Sequence, residues 1–180
     1  MDIDSKLYAL GRAARFDVCQ ASDRPDDAPG REGAVRDALS GCVYRAVKRG
    51  GGCTPLLKVL QSSVCERDCA YCANRAGRDA RRMTLTPDEL ARVFDEMARR
   101  RLVEGLFLSS GICGHADTAM GRMLATVELL RQRYHFRGYI HLKILPGSDT
   151  AAIAKAVALA DRVSTNLEAP TPERLRALSN

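Results

Sequence analysis

Leu56-Leu57-Lys58-Val59-Leu60-Gln61-Ser62-Ser63-Val64-Cys65-Glu66-Arg67-Asp68-Cys69-Ala70-Tyr71-Cys72 is the stretch on which the reading of this chain turns. Its first six residues form the short apolar run expected of a strand buried on both faces. The run feeds a polar loop with three cysteines at C-x3-C-x2-C spacing and an aromatic residue just before the last.

Downstream, strand and helix patterns alternate. Thr86-Pro87-Asp88-Glu89 combines an N-cap threonine, a proline at the first helical position and a glutamate that completes a capping box. The helix it opens puts Leu90, Val93, Phe94 and Met97 on one face. Gly105-Leu106-Phe107-Leu108-Ser109 reads as a second strand, and a helix with Met120, Met123, Leu124, Val127 and Leu130 on one face follows. Gly138–Leu145 reads as a third strand stopped by Pro146-Gly147, and the next helix shows Ile153, Ala156, Val157 and Ala160. Arg162–Glu168 reads as a fourth strand, and Thr171-Pro172-Glu173 opens another helix. Such alternation implies an α/β fold with parallel strands joined by right-handed crossovers. A small doubly wound sheet and a parallel (β/α) partial barrel of about four strand–helix units both satisfy it. The absence of a closing strand and the helix that opens near the C-terminus favour the partial barrel, truncated before completion.

Upstream, a short helix is expected within residues 1–19, with Leu7, Leu10 and Ala14 sharing a face. From Ala21 to Gly52 the composition shifts to Asp, Arg, Pro and Gly, which reads as a loop-rich arm. The expected organisation is therefore a helix and arm over 1–52 and a core over 53–180.

At 180 residues the chain suits one domain with a real core. No apolar run approaches the roughly 20 residues of a membrane span, and Met1-Asp2-Ile3-Asp4 lacks an apolar signal core, so a cytoplasmic protein without membrane contact is expected. The formal charge of +6 is rich in arginine, including Arg75, Arg78, Arg81, Arg82 and Arg99-Arg100-Arg101. That balance suits a polyanionic partner and equally suits a solvated surface. Seven cysteines in a reducing compartment point to metal ligation or catalysis before disulfides. Cys19, Cys42, Cys53 and Cys113 have no ligand spacing and read as small buried hydrophobes.

Cys65, Cys69 and Cys72 are different. Three thiolates on so tight a loop can converge on three irons of a cubane, leaving the fourth iron open to another ligand. A zinc site would bring a second pair of Cys or His, and His115, His135 and His141 are too scattered to form one. A redox pair from Cys69 and Cys72 would leave Cys65 redundant. Burial of all three as structural residues sits poorly with Glu66, Arg67 and Asp68 between them.

Cys65-x3-Cys69-Ala70-Tyr71-Cys72, placed directly after a first barrel strand, resembles the radical S-adenosylmethionine (SAM) superfamily. The resemblance implies a [4Fe–4S] cluster on these cysteines, SAM chelated through its methionyl amine and carboxylate, and reductive cleavage of SAM to a 5′-deoxyadenosyl radical. It also implies an electron donor such as flavodoxin or ferredoxin. Tyr71 matches the aromatic residue near the cofactor's adenine, with loop packing as its plainer role. The family often carries Gly-Gly-Glu after the second strand to bind the amine; here Ser109-Ser110-Gly111 stands there, leaving hydroxyls and carbonyls to accept. Lys143, Asn166 and Glu168 lie at strand ends where the family contacts the carboxylate and ribose, or else form a salt bridge across the barrel rim. His141 is expected to be a packed strand residue, deeper than Lys143 on the same side.

The chain as a whole, through Lys6–Leu10, Lys58-Val59-Leu60, Glu104–Gly111 and Gly138–Lys143, is similar to a bacterial subfamily named for DNA modification or repair. That subfamily is longer and is associated with a uracil-DNA-glycosylase-like partner. The resemblance thus implies a radical enzyme with a nucleic-acid substrate. A non-catalytic Fe–S or zinc module that binds nucleic acid through its arginines is the alternative.

Overall fold

The computed structural model describes residues 2–14, 42–47 and 52–179. Helix α1 (Ile3–Ala14) buries Leu7, Leu10 and Ala14, as its periodicity requires, and rests on the first long strand. Gly11 faces Cys42 so closely that a Cβ would collide with its side chain. Then come β1 (Val43–Val47), β2 (Cys53–Leu60), α2 (Pro87–Arg99), β3 (Gly105–Ser109) and α3 (Ala116–Glu128), which runs on through a π-helical turn at Leu129–Arg133. The chain finishes with β4 (Tyr139–Lys143), α4 (Thr150–Leu159), β5 (Arg162–Ser164) and α5 (Pro172–Leu178).

The five strands lie in the order β1-β2-β3-β4-β5, with β1 antiparallel to β2 and every other pair parallel. Right-handed crossovers that always step in one direction leave the intervening helices on one face. A doubly wound sheet instead reverses its strand order partway. The unreversed order is therefore that of a partial barrel, and α2, α3 and α4 pack neighbour to neighbour outside it.

The capping box forms as expected: Glu89 N–H donates to Thr86 Oγ1 at 3.2 Å and Thr86 N–H donates to Glu89 Oε2 at 2.8 Å. Lys6 then pairs with the same glutamate at 2.7 Å and ties α1 to the first turn of α2. Leu90, Val93, Phe94 and Met97 are buried, as are Met120, Met123, Leu124, Val127 and Leu130. Buried Gln61, just past β2, donates to Leu85 O at 2.6 Å and accepts from Thr126 Oγ1 at 2.7 Å, so its amide joins sheet, loop and α3.

Four expectations need correction. The loop reading of 21–52 fails at 43–47, which form β1 along the edge of β2, with Val43 opposite Leu57. Val43, Tyr44 and Val47 are strand-favouring residues, but five residues in a polar, glycine-rich arm are too few to show a period, and the edge of β2 pairs them. The rest of that arm, through residue 41 and from 48 to 51, lies outside the described residues, as does Cys19. The last strand was expected through Glu168, but its ladder ends at Ser164 opposite Lys143, leaving Asn166 and Glu168 on the following loop. On α4 only Ala156 is fully buried; Val157 is 57% exposed and Ile153 36%, because this helix covers the short β5 at the sheet edge. Finally, Cys42 is buried, with its thiol pushed up to about 11 by that burial, but Cys53 and Cys113 are exposed.

His141 is the packed strand residue expected. It is buried against the edge of Phe107, and its Nε2 lies 2.7 Å from Ser164 Oγ. Burial first, then the charges of Arg162, Lys143 and Lys58, lower its pKa to about 4 and keep the ring neutral.

Candidate functional site

The cysteine loop leaves the C-terminal end of β2, and its base is stitched shut. Ser63 N–H donates to Met83 O and Met83 N–H to Ser63 Oγ, both at 2.9 Å, and the Ser62 and Thr84 hydroxyls meet at 2.7 Å. Half-buried Arg82 staples the two stems: its guanidinium donates to Ser63 O (2.8 Å) before the cysteines and to Asn74 O (2.7 Å) and Arg75 O (2.6 Å) after them. Hydrogen bonds from a charged donor contribute about 1.5–3 kcal/mol each, so this one side chain shapes the loop. Within it, Cys72 N–H donates to Cys69 O at 2.9 Å and Ala76 N–H to Arg67 O at 2.7 Å.

The Cys65 side is built against the loop that follows β3. Gly111 N–H donates to Ser62 O at 2.7 Å, and Glu66 N–H donates to Ile112 O at 2.8 Å. A Cβ on Gly111 would stand 2.5 Å from Val64 O and 3.1 Å from Cys65 Cβ, so only glycine lets the two loops approach. The Glu66 carboxylate accepts from Cys113 Sγ at 3.1 Å and from Gly114 N–H at 2.8 Å. Those two bonds, the thiol's first, hold the carboxyl below its ordinary range, and the same contact pushes the Cys113 thiol up.

The Cys69–Cys72 side faces the loop after β5. Lys143 Nζ donates to Asn166 Oδ1, and Asn166 Nδ2 donates to Glu168 Oε1 at 2.6 Å. The rim contact expected between Lys143 and Glu168 thus includes a bridge through Asn166. Glu168 has φ +57°, a left-handed backbone that costs a non-glycine residue about 1 kcal/mol or more. Its carboxylate and the Cys69 thiol both reach the Tyr71 hydroxyl, whose pKa rises through burial first and these two neighbours next. The Cys72 thiol is likewise raised, by burial first, against a lowering bond from Asn74 N–H; Cys65, Cys69 and Glu168 each add a smaller rise. Cys65, Cys69, Cys72, Tyr71 and Glu168 therefore share one electrostatic neighbourhood. The end of α5 also touches it, through Ala70 N–H to Leu178 O at 2.7 Å and Cys69 Sγ to Ser179 Oγ at 3.2 Å.

Of the remaining candidates, Ser109 is buried and accepts from Gln61 N–H at 2.8 Å, while Ser110 Oγ donates to Gly111 O at 2.8 Å. All ten candidate residues thus stand at one edge, the C-terminal edge of the parallel strands, where barrel folds carry out chemistry. Glu66, Arg82, Cys113 and Gly114 also belong to the site, although no spacing in the sequence marks them, because Glu66 meets Cys113 and Gly114 across 47 and 48 residues and the partners of Arg82 are bare carbonyls. An open recess lined by Arg99, Arg101, Tyr134, Phe136 and Arg137 lies at the opposite, N-terminal edge, which in barrels serves stability.

The donor set fits an iron–sulfur cluster. Cys65, Cys69 and Cys72 are free thiols, all half-buried on one loop whose shape is held by other residues. Among the described residues, no three His, Cys, Asp or Glu side chains gather tightly enough for a single metal ion. A cubane offers each thiolate its own iron and needs the three only around one face. Among the described residues, no helix is long and apolar enough to cross a membrane.

Comparison with known proteins adds a family. Residues 59–180 match the family described as the Radical SAM superfamily. No curated protein matches. Among solved structures, the chain is similar to one titled "Crystal structure of HydG: A maturase of the [FeFe]-hydrogenase", at 16% identity and a TM-score of 0.44 over 56% of this chain. The match covers 22% of that protein, so this chain spans about a fifth of its length.

Proposed function

The chain belongs to the radical SAM superfamily, and from that premise we propose that it is the cluster-bearing part of an enzyme that cleaves SAM reductively and acts on a nucleic acid. Proteins of this superfamily use a [4Fe–4S] cluster and SAM. The observation that carries the proposal is the placement of Cys65, Cys69 and Cys72, three half-buried free thiols, on one stapled loop at the C-terminal edge of β2. These three are the proposed cluster ligands. When bound, the cluster supplies an electron that splits SAM into methionine and a 5′-deoxyadenosyl radical.

The protein's own residues bind and orient. The Ser109-Ser110-Gly111 segment carries carbonyl and hydroxyl oxygens that can accept from the methionyl ammonium, in place of the acidic residue common at this position. Lys143 is a buried cation able to pair with the carboxylate, and Asn166 and Glu168 can hydrogen-bond ribose hydroxyls. The Tyr71 ring, 48% exposed beside Cys69, offers a face to adenine.

The nucleic-acid reading is supported by the exposed Arg67, Arg78 and Arg81 on and just after the cysteine loop, in a chain of net charge +6. It carries with it a uracil-DNA-glycosylase-like partner, a flavodoxin or ferredoxin as electron donor, and a cytoplasmic location. Anaerobic reconstitution of the full-length protein, followed by EPR of the reduced cluster with and without SAM, tests the proposal. A [4Fe–4S] signal that changes on adding SAM supports it. Zinc binding, or a cluster indifferent to SAM, sinks it. Release of 5′-deoxyadenosine that rises with added single- or double-stranded DNA would then identify the substrate class.

A further inference from the structure

Glu66 occupies an unusual place. Its backbone follows the first proposed cluster ligand directly, and all three of its observed hydrogen bonds run to one short segment after β3. Glu66 N–H donates to Ile112 O at 2.8 Å, Cys113 Sγ donates to one carboxylate oxygen at 3.1 Å, and Gly114 N–H donates to the other at 2.8 Å. The contact is tight on its inner side too, where Gly111 leaves no room for a Cβ against Val64 O and Cys65. Gly114 itself has φ +73°, a left-handed turn that presents its N–H. A carboxylate that accepts two hydrogen bonds in this geometry fixes both the distance and the angle between two loops, which one backbone bond alone cannot do.

We propose that Glu66 is a positioning residue that couples the loop proposed to hold the SAM amine, Ser109–Gly111, to the cysteine that begins the cluster loop. The inference rests on the proposed function above and deepens it. A displacement of the Ile112–Gly114 turn as ligand seats on Ser109–Gly111 passes to Cys65 through the Glu66 clamp, beside the direct contact of Gly111 with Val64 and Cys65, and a cluster on Cys65 holds the turn in return. Such coupling is reciprocal: whatever loosens the clamp weakens SAM binding and blunts the cluster's response to SAM together. The Cys113 thiol is part of the same clamp as a donor to the carboxylate, which gives this exposed cysteine a role that its lack of ligand spacing conceals.

The experiment uses the reconstituted full-length protein and the variants Glu66→Gln, Glu66→Ala, Cys113→Ala and the double variant Glu66→Ala/Cys113→Ala. Iron and sulfide per chain, equilibrium SAM affinity, and the SAM-induced change in the EPR signal are measured for each. Glu66→Ala is expected to bind SAM about 10-fold more weakly, the effect of losing hydrogen bonds to a charged group, with its iron and sulfide content unchanged. Glu66→Gln keeps one acceptor oxygen and is expected to fall between Glu66→Ala and the parent. Because both side chains act through one clamp, the double variant is expected to be no weaker than Glu66→Ala alone. A merely structural glutamate would shift stability but leave affinity and the EPR response alone. Affinities within twofold of the parent in Glu66→Ala, strict additivity in the double variant, or loss of the cluster from all four variants each overturn the inference. A parent protein whose cluster ignores SAM removes the radical SAM reading itself, an outcome visible before any variant is compared.

Discussion

The half of the cysteine loop that begins at Cys65 and the half that ends at Cys72 reach the same edge of the sheet by different means. The first is zipped to the loop after β3, a central strand, by backbone hydrogen bonds, a glycine contact and the Glu66 carboxylate. The second leans on Asn166 and Glu168 beyond the three-residue edge strand β5, and on the end of α5, a helix with no buried residue. Few buried apolar contacts and exposed hydrogen bonds mark regions of low local stability. The same loop thus has a firm side and a lightly held side, and ligand that seats on the second side must offset the entropy lost in ordering it.

The largest test of that picture removes the ligands themselves. Cys65→Ala and Cys72→Ala, one from each half, are both expected to abolish cluster retention and SAM cleavage, read as iron per chain and 5′-deoxyadenosine released. A variant of either that still cleaved SAM would break the assignment of three ligands. Next in size, Gly111→Ala forces a Cβ to within 2.5 Å of Val64 O on the firm side, and is expected to cost about 1–3 kcal/mol of stability by overpacking. Urea unfolding checks this, and an unchanged midpoint would mean the firm side yields as easily as the other.

Acid should act on the lightly held side through His141, which bonds Ser164 of β5. Its folded pKa of about 4 lies below the 6.5 of an ordinary histidine. Between those values the unfolded chain binds more protons, so stability present above pH 6.5 is lost as pH falls toward 4. Amide protection in β5, corrected for the intrinsic slowing of exchange at lower pH, is expected to fall over that window before protection in β3 does. His141→Gln, which cannot protonate, should flatten the difference. The smallest expected effect is that of Ser179→Ala, which deletes the hydroxyl beside Cys69 and should change stability by no more than about 0.5 kcal/mol. A loss as large as that of Gly111→Ala would show the two sides to be equally firm.

Much of the fold was legible because its signals are local. Thr86, Pro87 and Glu89 make their capping box within four residues of one another, whatever surrounds them. Leu90, Val93, Phe94 and Met97 share a face by helix geometry alone. The same reasoning placed Ile153 and Val157 on an inner face of α4, where it failed, because periodicity says which residues share a face and not whether anything covers it. Likewise Val43–Val47 became a strand only because β2 lay beside it. In the site, Lys143, Asn166 and Glu168 were placed at strand ends, but the end of β5 came four residues early, which puts Asn166 and Glu168 on a loop where Asn166 bonds both of the others.

Sequence by itself determined the three thiols on one loop after an apolar strand, the helix start at Thr86, and the strand–helix alternation that makes β2 to β5 parallel. These follow from spacing and backbone geometry over a few residues. Tertiary structure alone decided the antiparallel β1, the staple from Arg82 to both stems, the clamp between Glu66 and Cys113-Gly114, and the meeting of Tyr71, Cys72 and Glu168. Each of these depends on which carbonyl, amide or carboxylate lies opposite a side chain after the sheet has formed, and a linear spacing does not encode that choice.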